Sequence, residues 1–121
     1  MSEHAWQVFN LEDLQENVEG KEPRFMEFLR TSQMSCAMYH LPAGALDMQA
    51  PHLEDEIYIV IGGLARLRMG DSEREVRPGM VLFVSATTEH SFFDIEKDLT
   101  LLAIFGPAPL FLEAMREGIT G

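Results

Sequence analysis

Three residues with metal-binding chemistry stand out in this chain: His52, Glu56 and His90. Imidazole and carboxylate each offer a lone pair, and two histidines with one carboxylate leave coordination positions open for water, oxygen or substrate. His52 and Glu56 lead directly into the apolar run Ile57-Tyr58-Ile59-Val60, and His90 opens another apolar stretch far downstream. Side chains alternate across a strand, so residues of equal parity share a face. His52, Glu56, Tyr58 and Val60 are all even-numbered, and so are His90, Phe92 and Asp94. With even residues inward in both segments, two imidazoles and a carboxylate converge on one point. Tyr58, on the same face, is a wall residue and the candidate catalytic acid, base or substrate donor.

Short strands must position these groups. Residues 24–30, 34–41, 46–49, 57–61, 64–69, 73–77, 80–84, 90–95 and 99–105 read as strands, rich in β-branched and aromatic side chains. Pro42-Ala43-Gly44, Gly70-Asp71-Ser72 and Arg77-Pro78-Gly79 are turns, Gly62-Gly63 breaks a strand, and Gly106-Pro107 ends the sheet. Before the sheet, residues 10–18 suit a short helix: Asn10 caps it, acids fill its first turn, and Leu11, Leu14 and Val18 share a face. Gly20 stops it, residues 1–7 are a tail, and 110–116 form a closing helix. Many short strands separated by turn signals predict an all-β sandwich or barrel.

The chain has 121 residues, one domain's worth, with a formal net charge of −11. That charge repels phosphate backbones and anionic bilayers, so neither nucleic acid nor a membrane is an expected partner. With one cysteine, Cys36, no intrachain disulfide forms. The start shows no basic segment followed by an apolar one, and no apolar run approaches the roughly 20 residues of a spanning helix. A cytoplasmic, reducing compartment is the expectation.

From Gly44 to Asp94 the sequence resembles the small cupins with a single conserved barrel. The first cupin motif reads Gly, five residues, His-x-His, three or four residues, Glu, six residues, Gly. Gly44, His52, Glu56 and Gly63 match it, and Ala50 stands where the first histidine belongs. The second reads Gly, five residues, Pro-x-Gly, two residues, His, three residues, Asn. Gly79 and His90 match it, while Ser85, Thr87 and Asp94 replace the proline, glycine and asparagine. The resemblance implies a double-stranded β-helix (a jelly-roll barrel) with short flanking helices, one domain over 1–121 and a barrel core over about 40–105. It also implies one divalent metal, of iron, zinc, manganese or nickel, on His52, Glu56 and His90. The segment around Gln49-Ala50-Pro51-His52 resembles a cupin subgroup in which a glutamine precedes the histidine, so Gln49 is a candidate fourth ligand through its amide oxygen. Gln49 is odd-numbered and falls on the opposite face unless Pro51 introduces a bulge.

The remaining candidates have structural readings. Glu54 and Asp55 are loop acids, His40 a satisfied structural histidine, and Cys36 a buried, inert thiol. Phe83 and Phe92 belong to the core, as do Met26, Met34, Met38, Met48, Met69 and Met80. Arg66 and Arg68 are solvated hairpin arginines, with the barrel mouth as the alternative. The expected function is a metal-dependent enzyme acting on a small molecule, oxygenase-like or isomerase/lyase-like; the alternative is a non-catalytic ligand-binding module. Cupins often form homodimers, and residues 24–30 offer an edge strand for one.

Overall fold

The computed structural model describes residues 5–47 and 53–106. Within them lie one helix, α1 (Leu11–Glu16), and six strands: β1 (Arg24–Arg30), β2 (Ser35–Leu41), β3 (Glu56–Met69), β4 (Ser72–Val76), β5 (Val81–Val84) and β6 (His90–Phe105). All pairings are antiparallel, in the order β1-β2-β6-β3-β4 with β5 on β3. The expected ligands Gln49 and His52 and the expected helix over 110–116 lie outside the described residues.

Two pairs of expected strands are single long ones. Residues 57–61 and 64–69 are one strand, β3, and residues 90–95 and 99–105 are one strand, β6. The pair bends as a unit. Glu56 to Val60 pairs with Leu101 to Phe105, Arg66 to Met69 pairs with His90 to Phe93, and register shifts lie between the two arms. Gly63 makes the corner possible, with φ at 108° and no room for a Cβ against the Asp98–Leu99 backbone. Each added residue at such a bulge reverses which parity faces inward. Glu56, Tyr58 and Val60 are buried before the corner, but Ala65 and Leu67 after it. In β6, His90 and Phe92 are buried, then Ile95, Leu99, Leu101, Ala103 and Phe105. The switch in β6 falls at Asp94, which has φ of 52° and is exposed, so it does not share the inner face with His90 and Phe92 as parity predicts.

The inner faces of the two arms close on one core of Tyr39, Leu41, Tyr58, Val60, Leu67, Val76, Phe92 and Leu101 with their neighbours. A second cluster of Leu14, Val18 and Met38 seats the helical segment on the outer face of β2. Both faces of β2 are therefore covered, and all seven of its residues are buried. Leu11, expected beside Leu14, is exposed, because the short helix turns only part of its apolar face to the sheet. Asn10 stands at the N-cap, but its side chain reaches the Asp13 carboxylate at 3.4 Å rather than a backbone N–H. His40 is satisfied as expected: Nε2 lies 2.9 Å from the Gly20 carbonyl and Nδ1 3.4 Å from Thr100 Oγ1, tying the helical segment to β2 and β6. Cys36 is buried, which raises its thiol pKa.

Several core expectations fail. Phe83 is 58% exposed and Met34 38% exposed. Phe83 alternates with Leu82 and Val84, which point inward, so its ring falls on the outer face. Met34 precedes β2 in the turn closed by Thr31. Of the strand expected over 46–49, Leu46 and Asp47 are in no strand, and residues 48 and 49 lie outside the described residues. Arg68 lies on the outside of the β3–β4 hairpin, paired with Glu73 at 2.9 Å and stacked over Phe93 at 4.3 Å.

Candidate metal and ligand site

Three of the predicted site residues, Glu56, Tyr58 and His90, meet at one end of the core. Glu56 is 1% exposed and His90 4%, unusual for groups that ionise unless something stabilises them. Glu56 and Tyr58 come from the first arm of β3, with the outward Ile57 and Ile59 between and beyond them. His90 comes from the first residue of β6, opposite Met69 on the other arm. The site therefore straddles the bend, and neither arm alone assembles it.

The imidazole is held at both nitrogens. Nδ1 lies 2.9 Å from the Thr88 carbonyl oxygen, which only accepts, so Nδ1 carries a hydrogen and donates it. This turns Nε2 toward Tyr58 Oη at 3.1 Å and Glu56 Oε1 at 3.4 Å. In the neutral ring Nε2 offers its lone pair, and a second-sphere carbonyl on the other nitrogen is the usual way a ligating histidine has its tautomer fixed. In the imidazolium, Nε2–H points at the carboxylate instead. Burial, the largest single effect, lowers the His90 pKa. The Glu56 hydrogen bond, the Thr88 carbonyl and the charges of Glu56 and Asp47 together outweigh it, so the net shift is upward. The Phe92 ring meets Tyr58 edge-on at 5.0 Å and closes the inner side.

Strand periodicity gives no sign of Asp47, because it lies in an irregular stretch. Its Oδ1 accepts the Tyr39 hydroxyl at 2.6 Å and its Oδ2 accepts the Phe92 N–H at 2.8 Å. One carboxylate thus joins β2 to β6 at the point where residues 48–52 begin. Asp55 also does more than add negative charge. Its Oδ1 accepts the Ala86 N–H at 2.8 Å and its carbonyl accepts the Gly106 N–H at 2.9 Å, anchoring the loop that presents the Thr88 carbonyl.

Two of the three departures in the second motif fall on the only non-glycine residues with left-handed φ among those described: Thr87 at 64° and Asp94 at 52°. Glycine and asparagine, which the motif has at these two positions, are the residues that tolerate this conformation.

Among the described residues, no group of three His, Cys, Asp or Glu side chains is arranged to hold a metal ion. Glu56 and His90 supply two donors of a suitable type, and the other expected ligands, His52 and Gln49, lie outside the described residues. Beside Glu56, its cross-strand neighbour Phe105 lines a cavity of about 180 Å³ together with Phe25, Glu27, Arg30, Ser35 and Glu54. Arg30 grips Glu27 at 2.7 Å there, which lowers the Glu27 pKa.

No protein-family model matches the chain. An uncharacterized protein of Streptomyces coelicolor is 36% identical over 100 residues, covering 83% of this chain and 95% of that protein. An RmlC-like cupin with a double-stranded β-helix from Methanocaldococcus jannaschii superposes with a TM-score of 0.73 at 17% identity, covering 91% of this chain and 98% of that one. The DMSP lyase DddQ of Ruegeria pomeroyi superposes with a TM-score of 0.62 at 20% identity, covering 69% of this chain, which spans about half (47%) of that enzyme. No helix among the described residues is long and apolar enough to cross a membrane. The chain therefore belongs to one family with the Streptomyces coelicolor protein, and its bent β3–β6 pair builds the double-stranded β-helix fold of the cupins.

Proposed function

We propose that this cupin binds one divalent metal through His52, Glu56 and His90 and acts on a small molecule at that centre. The observation that carries the reading is the orientation of His90. Its Nδ1–H is committed to Thr88, and its Nε2 is aimed into a buried site 3.4 Å from the Glu56 carboxylate. A bound metal would supply Lewis-acid or oxygen-activating chemistry. The chain's own residues do the rest. Glu56 and His90 hold the cation, with His52 completing the set, and Gln49 is a further candidate ligand. Thr88 orients the imidazole. The Tyr58 hydroxyl oxygen lies 3.1 Å from Nε2, placed to give a proton to, or accept one from, a group bound beside the metal. The rings of Tyr58 and Phe92 exclude water from the inner side. The fold hosts lyases and other activities alike, so the reaction class is read from the site and not from the barrel.

Elemental analysis of purified protein tests the ligand set. The wild type is expected to hold about one metal per chain, and His52→Ala and His90→Ala to lose it with secondary structure retained. Metal kept in both variants refutes the assignment. Incubation with a metabolite pool under air and under nitrogen then sorts the chemistry. Oxygen-dependent loss of one compound identifies an oxygenase, and oxygen-independent conversion an isomerase or lyase. Retained ligand with no turnover refutes the enzyme reading.

A further inference from the structure

The outer face of the sheet carries two apolar rows that run across four strands. One is Phe83, Ile57, Ile104 and Cys36, and the other Val81, Ile59, Leu102 and Met38. The helical segment covers the β2 end: Leu14 and Val18 pack on Met38, with Leu102 and Phe28 against that cluster. The β5 end is open among the described residues, with Val81 66% exposed, Phe83 58% and Ile57 37%. A second apolar surface precedes the helix. Phe9 meets Phe28 of β1 edge-on at 4.9 Å, which pins the segment 5–10 at the β1 edge. Trp6 is 79% exposed and Val8 74%. Both surfaces are uncharged on a chain of net charge −11: residues 5–10 and 78–88 contain no Asp, Glu, Lys or Arg. Large apolar side chains gathered in this way form an interaction surface rather than the scattered apolar residues normal on a protein exterior.

We infer that two copies of this chain join through this face, the arm 5–9 of each lying over Ile57, Val81 and Phe83 of the other. Reach argues against the arm's own chain. β1 and β5 are four strand spacings apart, about 19 Å. Trp6 stands three residues from Phe9, a reach of about 10 Å, so the backbone at Trp6 falls short of β5 in its own chain. Two such faces packed about a two-fold axis along the strands bring the β1 edge of each copy over the β5 edge of the other. Each arm then meets an open patch and none is left over, so the assembly closes at two. Charge argues the same way. Two chains of net charge −11 repel wherever their carboxylates face one another, and this face lets them approach with uncharged groups opposed. Depletion of charge together with exposed Trp and Phe is the composition of an interface core. The β1 edge, by contrast, carries Arg24, Glu27 and Arg30, the kind of charges that guard a strand edge against pairing. The surface is independent of the metal centre, since Glu56 is buried on the inner side of β3 and Ile57 faces out.

Trp6 is the only tryptophan of the chain, so its emission reports on the arm directly. Sedimentation equilibrium of the full-length protein is expected to give twice the chain mass of 13.7 kDa, falling toward the single mass on dilution. Over the same concentrations Trp6 emission should move to longer wavelength as the arm is released. Phe83→Asp and Trp6→Ser should each weaken the dimer roughly ten-fold or more, with circular dichroism unchanged. In the Phe83→Asp protein, Trp6 emission should already lie at the long-wavelength position at concentrations where the wild type is dimeric. Val81→Asp, at the more exposed position, carries the same test if Phe83→Asp fails to fold. A single-chain mass at every concentration overturns the inference. So does a dimer that both Phe83→Asp and Val81→Asp leave intact, which puts the interface elsewhere. Trp6 emission that stays at short wavelength in the single chain also overturns it, because another part of the same chain is then the cover.

Discussion

Gly63→Ala should unfold the corner that brings Glu56 to His90. At φ of 108°, an L side chain costs about 1–2 kcal/mol. The added Cβ would also lie 2.5 Å from the Asp98 carbonyl oxygen, 2.6 Å from Leu99 Cα and 2.9 Å from Asp98 C. All three are backbone atoms, so no rotamer change relieves the overlap; β6 has to move away from β3. Forced displacement of packed structure costs a further 1–3 kcal/mol, roughly. The sum is about 2–5 kcal/mol, equivalent to a fall in Tm of roughly 10–20 °C for a chain of this length. Gly62 is the control: a methyl group added there meets no heavy atom within 4 Å, and its φ is not left-handed, so Gly62→Ala should shift stability by no more than about 1 kcal/mol. Urea unfolding followed by circular dichroism measures both. Any Gly63→Ala protein that remains folded should also hold less metal, because the arm bearing Glu56 and Tyr58 has shifted against the arm bearing His90. A Gly63→Ala cost below about 1 kcal/mol, or equal costs for the two glycines, refutes the reasoning.

Thr87→Gly should stabilise the protein by roughly 1 kcal/mol, since it relieves a left-handed β-branched residue at the position where the motif has glycine; a loss in urea midpoint counts against this. Asp47→Ala removes the acceptor of the Phe92 N–H and should cost about 1–3 kcal/mol. It should also weaken metal binding in equilibrium dialysis, because residues 48–52 start from that anchor, and unchanged affinity would separate Asp47 from the site. His90 titrates higher in the folded chain than in the unfolded one, so its stabilisation of the metal-free protein is complete below the unfolded value near 6.5 and is lost as pH rises through the folded value. The Tm difference between wild type and His90→Gln should therefore shrink from about pH 6 to alkaline pH, and a difference that widens would contradict the assignment. Proton and metal compete for Nε2, so metal affinity should fall as the solution is acidified through the same range.

The inward set Glu56, Tyr58, His90 and Phe92 is legible from alternation alone, because between bends a strand's faces are a local property of its chain. The turn at Pro42-Ala43-Gly44 and the β3–β4 hairpin are legible for the same reason: φ preferences belong to single residues. The motif spacing names the barrel. Periodicity cannot carry past Gly63 or Asp94, where a bulge reverses parity and keeps one strand running through what reads as a break. Alternation therefore puts Asp94 on the wrong face. Asp47 is invisible for a different reason: its partners, Tyr39 and Phe92, are distant in sequence, and only the closed sheet brings them to one carboxylate. Phe83 shows the same limit from the other side. Its chemistry reads as core, yet burial depends on what packs across from a face, and the strand pattern says nothing about that neighbour. Residue type and local spacing thus determined which groups can do chemistry and which way most of them point. The bend of β3 against β6 decided which of them meet.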